Sequence, residues 1–491
     1  MKHTKIIFLS ILNLFLGISA LCQGQNSFEF TIKDALTDQI VGDAIELSDG
    51  SFIILAHEID PPNQSKAHLM RLSKSGALLQ SKTLTYQGQS SGFKFIVQTA
   101  PNRFVLSGYT KNSEKTCLWL YEMDSLFIEV KSKLMPLNAY SYLNPGDLTL
   151  HDGKILCSGN VNTDGMIHIY RFIYKISPAF DSLNLRIFTE STSMLEFDLL
   201  VKNNDQGYYG IMPDFNPSAD AHIVELDTAF AIKNFYGIPN YVSRFPEARW
   251  LNNSTFIFAA RKEFHQDSLE RITGVMIMDT LANLKYEHYI GDPDTSNWPG
   301  LYSSLDFTDK NGIYVGGTHN FHQESEFYPE NIWFSLTQMD SVLNVHWQHF
   351  YGGDANYTLY GIRATRDKGC LMFGSRYDFQ STTQERDIYV IKVDQNGLIT
   401  GTGDQPSQNF HQAIVFPNPG SDHLIVQSGP QLLGAICILR DMNGKMVLNN
   451  LLTETKISLD THELTPGTYI WQIIQNNKLI ENGKWIKYRS K

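Results

Sequence analysis

At 491 residues, with 42% hydrophobic and 19% charged side chains, the chain is long enough for more than one globular domain. Its formal net charge of −11 argues against a nucleic-acid or anionic-membrane surface and reads as a solubilising charge. Aromatic content is 12% and no long helical period appears, a balance that suits an all-β protein.

Lys2, His3 and Lys5 precede an apolar run from Ile6 to Leu16, and Gly17, Ser19 and Ala20 follow. A basic start, an apolar stretch too short to span a bilayer and a small-residue tail predict a signal peptide over residues 1–22, cleaved after Cys22. A lipoprotein reading of Cys22 is weakened by Leu21 before it. No other segment is long and apolar enough to predict a membrane span.

Two phrases then recur seven times between Ser51 and Asp394. The first is an apolar strand ending in a small residue, as in Phe52–Ala56, Phe104–Gly108, Ile155–Gly159, Phe256–Ala260, Ile313–Gly317 and Cys370–Gly374. Tyr208–Met212 is the fourth copy and breaks the small-residue rule. The second phrase alternates apolar residues and ends at Ser73, Asp124, Ser177, Asp227, Asp279, Asp340 or Asp394. Both anchors keep one period, so the units are true repeats. Each unit opens with an alternating strand such as Ala44–Leu47 and closes with one such as Ala77–Leu84, giving four strands in about 50 residues, the content of a propeller blade. The small residue is expected on inner strands crowded near an axis. The seventh unit lacks a closing strand, and Phe28–Ile32 reads as the missing one, so that strands from both ends close the ring and leave no open sheet edge. The prediction is a seven-bladed β-propeller over residues 23–394.

Residues 395–412, rich in Gly, Gln, Ser and Asn, read as a linker. Residues 413–491 read as a small C-terminal β-sandwich with turns at Asp441–Lys445 and Leu464–Thr468. Phe416-Pro417-Asn418-Pro419 opens this segment, Asp441, Gly444 and Lys445 lie in its middle, and Leu464, Gly467, Tyr469 and Lys484 stand towards its end. In these residues the segment resembles the type A C-terminal sorting domain of the type IX secretion system of Bacteroidetes. The resemblance implies a cargo that crosses the inner membrane by its signal peptide and the outer membrane by this domain. It also implies cleavage of the domain, with the cargo released or attached to the cell surface, and the secretion machinery as a partner. The repeat region is similar in architecture to repeat regions of such cargo proteins.

Cys117, Cys157, Cys370 and Cys437 are widely spaced, with no C-x-x-C, which supports neither zinc nor redox chemistry. They are predicted as buried small hydrophobes, with Cys157 and Cys370 on the inner strand. Gly88, Ser90 and Gly92 match G-x-S-x-G, but Phe93–Val97 behind them reads as a strand where a nucleophile elbow needs a helix. Asn160, Asn162, Asp164 and Gly165 are half of an oxygen-rich calcium loop, and Asp292, Asp294 and Ser296 beside Trp298 are spaced alike. Both runs are also ordinary turn chemistry. His319, His322, Glu324 and Glu326 fall in one long loop with nothing to fix a metal geometry, and His346 and His349 are set on opposite faces of a strand. Asp49, Asp205 and Asp309 occupy equivalent turns. Asp124-Ser125-Leu126, Asp181-Ser182-Leu183, Asp227-Thr228-Ala229, Asp267-Ser268-Leu269, Asp279-Thr280-Leu281 and Asp340-Ser341-Val342 resemble the Asp-Ser/Thr-apolar acceptor of Bacteroidetes O-glycosylation.

No convergent acid/base set emerges, so no catalytic residue, cofactor or metal ligand is assigned. The expected role is an exported surface or secreted protein whose propeller binds a glycan or protein ligand, with Trp298 and Tyr302 as exposed loop aromatics suited to sugar stacking. The alternative is a secreted polysaccharide hydrolase or lyase, which requires facing carboxylates at one rim.

Overall fold

In the computed structural model each repeat is one antiparallel sheet. The structure describes residues 27–32, 37–60, 64–112, 115–135, 137, 142–162, 169–188, 198–201, 207–212, 222–238, 244–263, 271–291, 295–321, 327, 331–381, 385–399, 413–416, 420–428, 432–442, 444–475 and 478–488. The signal peptide predicted over residues 1–22 lies outside these residues, as does most of the predicted linker. The first blade takes Asp38–Glu46, Phe52–Asp60, Gln64–Leu72 and Leu78–Leu84 in that spatial order. Seven such sheets are present among the described residues, and in the sixth the first strand is split into Trp298–Pro299 and Leu305–Asp306. First strands of successive blades touch one another around the axis, and that of the seventh touches that of the first. Phe28–Ile32 pairs antiparallel with Arg386–Val393 as the outer strand of the seventh sheet, as its sequence predicts.

The recurring Ser or Asp has a local cause. Asp124 Oδ1 accepts the backbone N–H groups of Leu126 and Ile128, both at 2.9 Å. Asp227, Asp279, Asp340 and Asp394 bind the second and fourth N–H after them at 2.8–3.0 Å. The Ser73 and Ser177 hydroxyls do the same at 3.0–3.2 Å. A short side-chain acceptor that caps its own turn is what Asx and Ser/Thr turns require. The third residue after each anchor has positive φ, from 59° at Phe127 to 84° at Gly76. These turns also join blades. Gln80 and Lys82 on the first outer strand donate to the carbonyls of Leu126 and Phe127, and Tyr351 OH donates to Gly397 O at 3.0 Å. At the closure Phe28 packs against Gly76 in the equivalent place.

The small residue closing the first phrase has a different cause from the one expected. Its strand is second in each sheet, not innermost, so Cys157 and Cys370 also stand one strand away from the axis. What it faces is a β-bulge in the innermost strand. Ala56 pairs with Val41, Gly108 with Phe93, Gly159 with Pro145 and Gly374 with Leu359, and the register slips immediately after each pair. A bulge places two residues against one and pushes a carbonyl towards the partner strand. A side chain on Gly108, Gly159 or Gly374 would meet the carbonyl oxygen of Gly92, Asn144 or Thr358. In the fourth blade the described pairing of the first strand, Asp198–Val201, runs from Ile211 to Tyr208.

Between blades the cores are aliphatic and aromatic. Phe334 of the sixth blade meets Tyr389 of the seventh with ring centroids 5.5 Å apart. Cys157, Cys370 and Cys437 are buried free thiols and Cys117 is half-buried. Burial raises the Cys437 thiol to about 12 and the other two buried thiols further. The C-terminal module has two sheets. One orders Ala413–Phe416, His423–Ser428 and Lys456–Asp460; the other orders Met446–Leu451, Ile436–Asp441, Gly467–Gln475 and Lys478–Lys487. Leu424, Val426, Cys437, Leu439, Ile473 and Trp485 form its core.

Candidate functional site

The innermost strands leave backbone N–H groups without a ladder partner on the side facing the axis, and buried N–H groups need acceptors. Acidic residues on these strands supply them. Asp43 Oδ1 accepts the N–H of Ala44 at 2.7 Å, and Oδ2 accepts that of Ile96, on the next blade, at 3.1 Å. Asp306 repeats the device between the sixth and seventh blades, taking the N–H of Phe307 and of Ala364, each at 2.9 Å. Asp147 takes the N–H of Leu148 at 2.7 Å. Arg363 answers these charges: its Nη2 lies 2.6 Å from Asp43 Oδ1 and its Nη1 donates to Ser303 Oγ. Arg249 and Glu247 pair at 2.5 Å.

Burial pushes the Asp43 carboxyl above its ordinary range, against the pull of Arg363 and the Ile96 and Ala44 N–H groups. Burial raises Asp147 likewise, against Arg249 and the Leu148 N–H. Burial works to lower Arg363, but Asp43, Asp306 and Glu247 outweigh it and hold the guanidinium above its ordinary value. Both oxygens of Asp43 and of Asp306 are engaged as acceptors. Through Asp43 and Asp306 the network clamps adjacent blades.

One segment crosses the axis. Between the two pieces of the split strand, Leu301 and Tyr302 donate N–H groups to Leu359 O and Tyr360 O of the seventh blade at 3.2 and 2.7 Å. The Tyr302 ring meets Tyr360 at 5.3 Å and, on the second blade, Phe95 at 6.2 Å. Lys94 Nζ sits 4.7 Å above that ring and donates to Asn144 Oδ1 at 2.6 Å. Residues 300–304 thus bridge the sixth and seventh blades to the second.

A separate open cleft of about 410 Å³ lies where the last blade meets the first, lined by Glu46, Asp49, Lys74, Arg366, Asp367 and Lys392 among others. Arg366 donates its N–H to Glu46 Oε2 at 2.9 Å and its guanidinium to the carbonyls of Leu47 and Ser48. Lys392, 1% exposed, donates to both Asp367 oxygens and to Val393 O at 2.9–3.1 Å. The Arg366 contacts tie the seam together, and cationic and anionic lining groups balance in number.

Among the described residues the sequence candidates are not brought together at one place. Ser90 lies before a strand, and its hydroxyl accepts the Ser65 N–H at 2.9 Å. Asn160 and Asn162 belong to the strand Lys154–Asn162 rather than to a loop, while Asp164 and Gly165 lie outside the described residues. Asp292, Asp294, His322, Glu324, Glu326, Asp205 and Asp267-Ser268-Leu269 lie outside them too. Trp298 corrects an expectation: it is only 4% exposed, its indole N–H donates to Ser296 Oγ at 3.1 Å, and Arg261 covers one face at 4.4 Å. Tyr302 is half-buried across the axis and is not a free stacking platform either. His319 is buried, with Nδ1 2.7 Å from Asn297 Oδ1. His346 is exposed, whereas His349 is buried against Asn396 O at 3.1 Å. Asp49 pairs with Arg71 at 2.7 Å, and Asp309 caps the Asn311 N–H at 3.0 Å. Among the described residues no three His, Cys, Asp or Glu side chains are grouped to hold a metal ion. Asp43, Asp147, Asp306 and Arg363 escaped the sequence reading. Asp43 and Asp147 left a signal, a Gly-Asp step inside the first strand at Gly42-Asp43 and Gly146-Asp147; Asp306 and Arg363 left none of that kind.

Residues 414–487 match the family of the secretion system C-terminal sorting domain. Comparison with curated proteins finds no match. Among solved structures the chain is similar to the α-L-arabinofuranosidase Arb93A of Fusarium graminearum, at 12% identity, covering 76% of this chain and 98% of that one, with a TM-score of 0.42. It is similar to the WD40 domain of coronin from Toxoplasma gondii, at 9% identity over 78% and 89%, with a TM-score of 0.44. It is also similar to PorZ, a surface component of the type-IX secretion system of Porphyromonas gingivalis, at 10% identity over 91% and 81%, with a TM-score of 0.23. At these scores neither function nor blade number carries over.

Proposed function

From a chain whose C-terminal module is a secretion-system sorting domain, and which is thereby marked as a type IX secretion cargo, we propose an exported binding or display protein. Residues 1–22 serve as the signal peptide and route the chain through the periplasm. Residues 23–394 form the seven-bladed propeller, 395–412 the linker and 413–491 the sorting domain, and the propeller presents a glycan- or protein-binding rim at the cell surface or in the medium. The observation that carries export is the sorting-domain match over residues 414–487. Binding is favoured over catalysis by the commitment of the axial carboxylates: Asp43 and Asp306 spend both oxygens on backbone N–H groups of adjacent blades. Glycoside hydrolysis needs two carboxyl groups available on either side of a bond.

The test of export compares the full chain with one ending at Gln412, both produced in a bacterium that has the type IX apparatus. The full chain is expected outside the cell or on its surface and the shortened chain inside. Equal export of both would overturn the proposal.

A further inference from the structure

A β-sheet edge is a template for another strand, and proteins that do not use an edge protect it with charge, proline or a covering segment. Most long edges here follow that rule. The outer strands of the first, second, fourth and fifth blades carry Lys82, Lys131 and Lys133, Lys233 and Lys285. In the sorting module the edge strand Lys478–Lys487 holds Lys478, Glu481, Lys484 and Lys487. It is also covered at one end by Gly420, which donates to Ile486 O and accepts from the Tyr488 N–H, both at 2.9 Å. Lys456–Asp460 is charged at both ends, and Ala413–Phe416 runs into Pro417 and Pro419.

The sixth blade's outer strand Val345–Tyr351 also lacks charge and proline, but the turn of the seventh blade covers it: Trp347 Nε1 and Tyr351 OH donate to the carbonyls of Gln395 and Gly397. Among the described residues Met446–Leu451 breaks the rule without such a cover. Its sequence, Met-Val-Leu-Asn-Asn-Leu, contains no charge and no proline. It pairs with Ile436–Asp441 on one side, and among the described residues nothing pairs with the other. Met446 is 48% exposed and Leu451 54%. Ile436, directly opposite Leu451, and Leu433 are 37% and 43% exposed, so the open backbone is flanked by an apolar strip. The strand is held in a fixed hairpin. Asp441 Oδ1 caps the Lys445 N–H at 2.9 Å, Gly444 takes a φ of 81°, and Arg440 donates to Gly444 O at 2.9 Å.

Resting on the export reading above, we propose that this edge is where the export apparatus reads the module. An extended, uncharged segment of an apparatus subunit adds to the sheet beyond Met446–Leu451. Its backbone completes the ladder, and its side chains cover Leu451, Ile436 and Leu433. Backbone pairing gives affinity without demanding one partner sequence, while the apolar strip sets which face of the incoming strand is buried.

The experiment uses the full chain in a bacterium with the type IX apparatus. The double variant Met446→Lys/Leu451→Lys changes only exposed side chains, and Asn450→Pro disturbs the ladder. A photo-crosslinking residue at position 450 is compared with one at Lys484. Secretion of the lysine variant is expected to fall about tenfold or more, which corresponds to about 1.4 kcal/mol of lost recognition. Its thermal unfolding should match that of the parent, and position 450 alone should crosslink to an apparatus subunit. Normal secretion of the lysine variant would overturn the inference, as would a crosslink to a second copy of the chain. If the chain ending at Gln412 is itself exported, the export reading fails. If that chain is retained while the edge variants are secreted, only the edge assignment fails.

Discussion

Replacing Asp43 with Ala separates a structural clamp from a ligand site. The change strips one partner from Arg363, whose Nη2 lies 2.6 Å from the carboxylate, and leaves the N–H groups of Ala44 and Ile96 without their acceptor. Asp43 has a side chain 3% exposed and Arg363 one 23% exposed, so water can replace the lost contacts only in part. Breaking a buried pair from one side costs about 3–5 kcal/mol, and an orphaned buried donor about 1–3, terms that overlap rather than add. We therefore expect Asp43→Ala to lose about 3–5 kcal/mol. Asp309→Ala, which loses one exposed turn hydrogen bond, should cost no more than about 1 kcal/mol. The assay is urea unfolding followed by tryptophan fluorescence. A loss under about 1 kcal/mol for Asp43→Ala would refute the clamp.

Gly374→Val would drive a side chain into Thr358 O and to 2.9 Å from Phe334 Cζ, so a loss of about 3 kcal/mol or more is expected in the same assay. Gly88→Ala, with φ of 75° and nothing within 4 Å, should cost about 1 kcal/mol. His57, 5% exposed, is held near a pKa of about 3 by burial and by Lys94 and Arg386. It is neutral in the fold while the unfolded chain takes up a proton near the ordinary value of 6.5, so stability falls as pH drops through 6.5 towards 3. At pH ~4.5 this accounts for about 3 kcal/mol at most, and His57→Gln should flatten the thermal-stability profile over that range. An unchanged profile would remove His57 from the acid response. The Asp-Ser/Thr-apolar turns, with Thr228 exposed, are expected to carry glycan in the secreted protein, so its intact mass should exceed that of the polypeptide; a bare mass would dispose of the idea.

Both anchors of the repeat were legible because each position restricts the residue type in every unit. Ser73 or Asp340 must cap its own turn, and Gly108 or Gly374 must let a carbonyl approach, so the residue type survives in sequence. The reason for the small residue was not legible, since the bulge that imposes it lies on another strand and leaves no fixed residue there. Phe28–Ile32 was placed correctly because the seventh unit lacked an outer strand of its own. Trp298 and Tyr302 were misread because the first strand of the sixth blade is only two pairs long on either side of residues 300–304, too short for any alternation to show. The axial network was invisible for another reason: Asp43 and Arg363 stand 320 positions apart, and only ring closure brings them together.

The measurement that bears most directly on the account exposes the secreted protein to a panel of polysaccharides, scoring retention and release of new reducing ends together. The account predicts retention on at least one polymer, or capture by a surface protein, without product. Product release that survives purification would contradict it and return the chain to the hydrolases and lyases.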